Sequence, residues 1–182
     1  LADGVYEIWF ETKNIAKEAK AGQFISVYSN DGSRLLPRPI SICRIEGSKL
    51  RIVYRVAGKG TAEFSQMKAG DRLDIQGPLG NGYDIEKIAE ELKAEGRSFD
   101  RAILFGGGIG IPPMLELAHK LNCHRNVVAG YRDNQTFLRA DFEAVADTDV
   151  YIATEDGSVG TKGNVLDAVR ENAVFGDVIF AC

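Results

Sequence analysis

Cysteine is scarce in this chain. Among its 182 residues there are three cysteines, Cys43, Cys123 and Cys182, which lie far apart and form no CxxC pair. An odd and widely spaced set is typical neither of a disulfide scaffold nor of a complete metal site. We therefore expect reduced, mostly buried thiols and no metal site built from these residues.

The chain also lacks a long apolar run and an excess of charge of one sign. No segment approaches the roughly 20 apolar residues that cross a bilayer, and the first ten residues contain no basic segment ahead of an apolar one. The 22 basic residues nearly balance the 26 acidic ones, so no basic field attracts nucleic acid or an anionic membrane. These absences favour a cytoplasmic globular protein that binds neither nucleic acid nor membrane.

Two patterns of secondary structure are present, one on each side of Pro78. Before it, short runs rich in β-branched and aromatic residues predict an antiparallel barrel or sandwich. These runs are 6–10, 24–28, 40–45, 50–56 and 72–75. After a helix at 85–94, strand-like runs (101–105, 126–130, 150–154, 178–180) alternate with helical ones (114–121, 137–145, 165–172). Such alternation predicts a parallel α/β sheet that binds ligands at the carboxyl ends of its strands.

The segment from Leu104 to Met114 is an apolar strand followed by glycines and a helix. Glycine lets the backbone approach a ligand, and the free amides at a helix start favour an anionic pyrophosphate. Pro112 and Pro113 suit the first helical turn. The loop departs from the G-x-G-x-x-G fingerprint because Ile111 stands at the position of the last glycine, so a tight turn without a ligand remains an alternative.

Two segments of the first half suit a flat cofactor that bears phosphates. Arg38 and Ser41 open a strand, where an arginine can pair with phosphate oxygens and a hydroxyl can bond a ring nitrogen. Tyr54 and Arg55 lie on the next strand, ahead of Gly60 and Thr61 at the predicted start of a short helix, where a ring beside an arginine could stack on a flavin nucleotide. The alternative is an exposed arginine, a strand-edge serine and a core tyrosine.

Together these segments resemble the ferredoxin reductase-like flavoprotein family over essentially the whole chain. Arg38-Pro39-Ile40-Ser41 is similar to its flavin motif, 77–83 to its barrel-end motif, and 106–113 to its nicotinamide pyrophosphate loop. The likeness is closest to the branch that serves NAD-dependent dihydroorotate dehydrogenases. It implies hydride transfer between NAD and FAD, with an N-terminal antiparallel FAD-binding β-barrel (1–80), a connecting segment (81–100) and a parallel-sheet NAD-binding α/β domain (101–182).

The resemblance also implies roles for individual residues. Ser41, which would bias flavin N5, and Cys182, which would lie near the nicotinamide and the flavin, are the expected catalytic residues. After the second parallel strand, Asp133 favours NAD, whereas its neighbour Arg132 has the opposite sign and leaves NADP open. The expected FAD-binding residues are Arg38, Pro39, Ile40, Ser41, Val53, Tyr54, Arg55, Gly60 and Thr61. The expected NAD-binding residues are Gly106, Gly107, Gly108, Ile109, Gly110, Pro113, Glu155 and Asp156.

The same resemblance implies a partner and a further cofactor. The partner would be an FMN-containing dihydroorotate dehydrogenase catalytic subunit in a heterotetramer, and electrons would reach FAD and NAD through a [2Fe-2S] cluster during pyrimidine biosynthesis. The family continues into a four-cysteine segment that carries this cluster, whereas this chain ends at Cys182 within a strand-like run. We therefore expect that the chain has been cut short and that the cluster belongs to the full-length protein.

Two other functions remain open from the sequence. One is the small subunit of a related ferredoxin:NADP oxidoreductase or sulfide dehydrogenase, which has the same two domains and differs in its partner. The other is a non-catalytic regulatory domain that binds a nucleotide. This second alternative predicts no bound flavin and no oxidation of NADH.

Overall fold

The computed structural model describes residues 1–30 and 36–182, and this part of the chain contains ten strands, six α-helices and a 3-10 turn at Gly108–Gly110. The strands are β1 (Val5–Glu11), β2 (Phe24–Tyr28), β3 (Arg38–Glu46), β4 (Lys49–Arg55), β5 (Asp74–Leu79), β6 (Arg101–Gly107), β7 (His124–Tyr131), β8 (Thr148–Thr154), β9 (Thr161–Lys162) and β10 (Val178–Ala181). The helices are α1 (Ile15–Glu18), α2 (Lys59–Phe64), α3 (Ile85–Ala94), α4 (Pro112–Lys120), α5 (Arg139–Glu143) and α6 (Val165–Glu171). None of these helices has the length and apolar character needed to span a bilayer.

Strands β1 to β5 form an antiparallel sheet in the order β1-β4-β3-β2-β5. Successive side chains of a strand point to opposite faces, so alternate apolar residues share one core. That core includes Ile25, Val27, Ile40, Ile42, Ile52 and Tyr54. The antiparallel architecture predicted for the first half is confirmed.

Strands β6 to β10 form a parallel sheet in the order β10-β6-β7-β8-β9. The chain leaves β6 through α4 toward β7, and it later returns through α6 to β10 on the other side of β6. The strand order therefore reverses between β6 and β10, which is where ligands bind in open α/β sheets. The glycine segment follows β6 directly, so the predicted α/β architecture places it at this switch point.

The two sheets share a hydrophobic cluster instead of standing apart. Helix α4 packs on β3, and Cys43 and Val53 of the first sheet join Ile111 and Leu115 in one buried group. The first sheet ends at Leu79 and the second begins at Arg101, with α3 between them. The finer division at 1–80, 81–100 and 101–182 stays a prediction.

Some element bounds differ from the sequence prediction. Helix α3 has the bounds predicted for it, and the Asp84 carboxylate caps it by accepting from the Lys87 amide at 3.1 Å. Strand β5 was expected at 72–75 and lies instead at Asp74–Leu79, because a register shift opposite Phe24 and Ser26 lets it continue beyond Pro78. The helix expected at 137–145 is shorter, since Leu138 has φ 65° and α5 begins only after it.

Candidate functional site

The Arg38 guanidinium lies against Gly60 at the start of α2. A Cβ at Gly60 would stand 2.8 Å from Arg38 Nε and 2.9 Å from Nη2. The guanidinium also donates to the carbonyl of Leu36. Arg38 and the start of α2, which the sequence predicts to contact one cofactor, therefore lie side by side. A side chain at position 60 would displace the Arg38 guanidinium from this place.

The Thr61 hydroxyl shapes the turn that presents Gly60. Its Oγ1 accepts from the amides of Ala57 at 2.9 Å and Gly58 at 3.2 Å, and it donates to the Gly58 carbonyl at 3.0 Å. These bonds fully occupy the hydroxyl within the turn. Any contact of Thr61 with a cofactor is therefore one that its backbone makes.

The remaining residues of the flavin motif divide between the core and the surface of β3. The Ile40 side chain is buried in the core of the first sheet, whereas Ser41 is half-buried and Pro39 is exposed. Ser41 pairs with Phe24 of β2, and Pro39 pairs with Ser26. Within the motif Arg38-Pro39-Ile40-Ser41, only Arg38 and Ser41 therefore have side chains that can form a hydrogen bond with a cofactor.

Tyr54 is a core residue. Its ring packs against Tyr6 and Phe64 with centroids 6.2 Å and 6.1 Å away, and burial raises the pKa of its hydroxyl to about 12. That hydroxyl has no hydrogen-bond partner among the described residues. Arg55 follows on the strand and is exposed, and its side chain points to the opposite face from that of Tyr54. A joint role of Tyr54 and Arg55 at a cofactor stays a prediction. Val53 is buried between the two sheets.

A cleft of about 700 Å³ opens at the carboxyl ends of β6, β7 and β8. Gly107 and Gly108 form part of its wall, and no atom lies within 4 Å of a Cβ built at either position. Gly108 has φ +52°, a conformation that favours glycine. Arg55, at the end of β4, also lines this cleft, so the first sheet contributes a cation beside the glycine loop.

The other two glycines of the predicted loop do not face open space. A Cβ at Gly106 would stand 2.7 Å from the Ile111 Cα, and one at Gly110 would clash with the Cys182 carbonyl. These two glycines permit the close packing of the turn. Pro113 is buried in the first turn of α4, and the Ile109 side chain is exposed. Gly107 and Gly108 are therefore the glycines of this loop that are open to a ligand.

Asp133 lines the cleft and is held in place by a residue that the sequence prediction missed. Its Oδ1 accepts from the Gln135 amide at 3.0 Å, and its Oδ2 accepts from Gln135 Nε2 at 3.3 Å. Gln135 Oε1 in turn accepts from the amide of Asp3 at 2.7 Å. The oppositely charged Arg132 is exposed on the same cleft.

The acidic pair after β8 splits. Glu155 lines the cleft, whereas the Asp156 carboxylate accepts from the Ser158 hydroxyl at 2.6 Å and from its amide at 2.9 Å. Both hydrogen bonds lower the pKa of Asp156, and the bond from the Ser158 hydroxyl has the larger effect. Asp156 is thus engaged within its own loop, and Glu155 is the carboxylate of this pair that faces the cleft.

Cys182 is exposed directly after β10, with its backbone against Gly110, while Cys43 and Cys123 are buried. The Tyr83 hydroxyl donates to the carbonyl of Ala181 at 3.2 Å and ties the barrel-end segment to this point. Within residues 1–30 and 36–182, no group of three or more His, Cys, Asp or Glu side chains is arranged to hold a metal ion.

Comparisons with known proteins agree with this architecture. No family model matches the chain. Proteins named "dihydroorotate dehydrogenase B (NAD(+)), electron transfer subunit" are similar to it over its whole length. The one from Streptococcus mutans is 39% identical over 188 residues, which is 69% of its own length. Those from Caldanaerobacter subterraneus and Enterococcus faecalis are each 38% identical, over 67% and 69% of their lengths.

Solved structures share the same fold. An NADH-dependent reduced ferredoxin-NADP oxidoreductase covers 93% of this chain with a TM-score of 0.76 and 27% identity, and the match spans 59% of that chain. A ferredoxin NADP+ reductase from Neisseria gonorrhoeae covers 93% of the chain, and 70% of its own, with a TM-score of 0.71 at 15% identity, which shows the fold alone. The sequence relatives are closer and extend over the entire chain, so the chain belongs to the family of electron transfer subunits of NAD-dependent dihydroorotate dehydrogenase B.

Proposed function

We propose that this chain is a FAD-dependent NAD(H) oxidoreductase subunit that delivers electrons from dihydroorotate, oxidised on a partner catalytic subunit, to NAD in pyrimidine biosynthesis. One observation supports it above the others: Arg38 of the first sheet packs on Gly60 of α2, and an open glycine-lined cleft lies at the carboxyl ends of β6, β7 and β8 in a second sheet that packs on the first. The names of the relatives support the choice of dihydroorotate.

The first sheet fits FAD. Arg38 would pair with its phosphates, and the close approach that Gly60 permits would let the backbone contact them as well. The half-buried Ser41 hydroxyl would donate a hydrogen bond to a flavin ring nitrogen. Once bound, FAD and NAD supply the hydride chemistry, so the chain itself has to bind, orient and shield.

The second sheet fits a nicotinamide dinucleotide. The backbone of Gly107 and Gly108 can approach a pyrophosphate because no side chain lies in the way. Arg55 lines the same cleft, so its charge can reach the same pyrophosphate. Asp133, held by Gln135, would accept from the ribose hydroxyls and disfavour a 2′-phosphate, which favours NAD over NADP.

We also propose an FMN-containing partner, a heterotetramer, a [2Fe-2S] cluster in the full-length protein and a cytoplasmic location. The described residues do not fit such a cluster, because they bring no three candidate ligands together.

The experiment that tests the proposal is a visible spectrum of the full-length protein purified with its catalytic subunit. Dihydroorotate should bleach the flavin absorbance, and NAD should then restore it. Bleaching by NADH or NADPH but not by dihydroorotate would keep the reductase activity and remove the pyrimidine role. A protein without flavin would contradict both.

A second candidate is an electron carrier that serves another enzyme. The 27% identity and TM-score of 0.76 to the NADH-dependent ferredoxin-NADP oxidoreductase favour it over unrelated functions. In the same experiment this candidate predicts that reduced ferredoxin bleaches the flavin, whereas dihydroorotate leaves it unchanged.

A further inference from the structure

Glu116 is a fully buried carboxylate on α4, the helix that follows the glycine segment. Its Oε2 accepts from Arg44 Nη1 at 2.7 Å and from the Ile45 amide at 2.9 Å, and both donors belong to β3 of the first sheet. Its Oε1 lies 3.4 Å from Lys120 Nζ. A buried charge is unfavourable unless it is paired and hydrogen-bonded. Oε2 accepts both hydrogen bonds from β3, whereas Oε1 accepts none from the described residues and is offset by the ion pair with Lys120.

The link connects the two elements that carry the proposed cofactor sites. Strand β3 begins with Arg38 and contains Ser41, and α4 begins at Pro112, at the end of the loop that holds Gly107 and Gly108. The pairing of β3 with β4 shifts register just before Arg44, and such a bulge redirects the groups beside it. The irregularity therefore occurs where β3 turns a guanidinium and an amide toward Glu116.

A buried arginine also joins the same two layers. Arg51 on β4 pairs with Glu7 at 2.6 Å and also with Asp141 on α5. The two helices on this face of the parallel sheet are thus each tied to the first sheet by a charged contact. Exposed pairs such as Arg139–Glu143 lie within one helix and cross no boundary.

We propose that Glu116 is a positioning residue for hydride transfer: by binding Arg44 and Ile45 it fixes the separation between the strand of the flavin site and the glycine-lined cleft. This inference rests on the proposed function. Hydride transfer requires the reacting atoms to be held about 3–3.5 Å apart, and a misplacement of about 1 Å lowers the rate on the order of 100-fold. A residue that touches neither cofactor site can therefore control the rate through the orientation of the sheets.

The test compares Glu116→Gln with Glu116→Asp in the full-length protein. Glutamine keeps the size and a carbonyl acceptor for the Ile45 amide but removes the charge between Arg44 and Lys120. Aspartate keeps the charge on a shorter side chain. Glu143→Gln is the matched control, because Glu143 pairs only with Arg139 on the exposed surface of α5 among the described residues.

Three quantities separate positioning from a general loss of structure. These are the rate of flavin reduction at saturating NADH, the affinities for FAD and NADH, and the hydrogen exchange of segment 42–46 in cofactor-free protein. For Glu116→Gln we expect a rate about 10- to 100-fold lower, affinities within about twofold of wild type, and faster exchange. The rate and the exchange of Glu116→Asp should fall between those of Glu116→Gln and wild type, and Glu143→Gln should match wild type.

A Glu116→Gln protein that reduces flavin at the wild-type rate would overturn the inference, as would unchanged exchange in segment 42–46. If glutamine prevents folding, Glu116→Asp decides by the same criteria. If wild-type protein itself holds no flavin or is not reduced by NADH, the proposed function fails and the positioning role fails with it, while the exchange measurement still reports whether Glu116 joins the sheets.

Discussion

Gly60, beside the first sheet, and Gly107, at the end of β6 in the second sheet, are the two glycines that we propose lie against cofactor phosphates, and their surroundings differ. At Gly60 the adjacent space is filled by the protein's own Arg38, 2.8 Å from where a Cβ would stand. At Gly107 nothing lies within 4 Å. The first region is thus an assembled contact between a cation and the backbone, and the second is an open cleft. A side chain introduced at Gly60 should therefore displace the Arg38 guanidinium, whereas one introduced at Gly107 should displace only a ligand.

Arg38→Ala is expected to have the largest effect. Charged hydrogen bonds contribute about 1.5–3 kcal/mol each, so FAD affinity should fall about 10- to 100-fold. NADH binding should not change, because Arg38 does not line the cleft. Quenching of FAD fluorescence by apoprotein measures the change, with the exposed Arg170→Ala on α6 as the control. Equal FAD affinity in the two variants would remove Arg38 from the flavin site.

Gly107→Val should produce the reverse pattern. Gly107 has φ −118° and ψ 125°, an extended conformation that valine adopts readily, so the fold should be unaffected. The added side chain would occupy the cleft and weaken NADH binding about tenfold, which corresponds to about 1.4 kcal/mol. Calorimetric titration with NADH measures this loss. If NADH affinity is unchanged while circular dichroism shows an intact fold, the dinucleotide does not bind beside Gly107.

Gly60→Ala sharpens the comparison, since Gly107→Ala is the same change in the other region. The methyl group at position 60 would push the Arg38 guanidinium aside, and FAD affinity should fall about fivefold as part of a charged hydrogen bond is lost. Gly107→Ala should leave FAD affinity as in wild type. FAD titrations of the two variants provide the measurement, and an equal effect of both would show that the two glycines are not distinct.

Asp133→Asn should have a smaller effect, on selectivity. The amide oxygen still accepts from the Gln135 backbone, so the loop should keep its shape while one negative charge is removed from the cleft. We expect the preference for NAD over NADP to shrink about threefold. The Asp133 carboxylate repels the 2′-phosphate of NADP, and solvent screening keeps this repulsion small. The ratio of dissociation constants for the two dinucleotides measures it. An increased preference would contradict the assignment.

Tyr54→Phe should have the smallest effect. Its hydroxyl is buried without a partner among the described residues, and such a group costs about 1–3 kcal/mol, so its removal should leave the protein equally stable or slightly more stable. FAD affinity should not change. Urea unfolding and FAD titration check the two outcomes. A marked loss of FAD affinity would return Tyr54 to the flavin site.

Local pattern was sufficient for much of the fold. Helix α3 has the predicted bounds because an amphipathic run follows a capping aspartate, and the glycine loop was recognised because strand, glycines and prolines stand in sequence. Helix α1, of four residues, and strand β9, of two, are too short to show periodicity, and neither was predicted.

The missed parts of the site depend on contacts between distant residues. Glu116 lies in a helical run whose sequence gives no sign that Arg44 and Ile45 approach it. Gln135 contacts Asp3, which is 132 residues away in sequence, only because the fold brings the two segments together. Tyr54 and Arg55 are adjacent in sequence, whereas strand geometry places their side chains on opposite faces.

The most direct test of the division between the sheets is an anaerobic titration of Arg38→Ala and Gly107→Val side by side, first with FAD and then with NADH, followed by visible absorbance. Arg38→Ala should require much more FAD to acquire the flavin spectrum. Gly107→Val should acquire it as wild type does and then require more NADH to bleach. If both variants lose affinity for the same cofactor, the two sheets do not divide the cofactors between them.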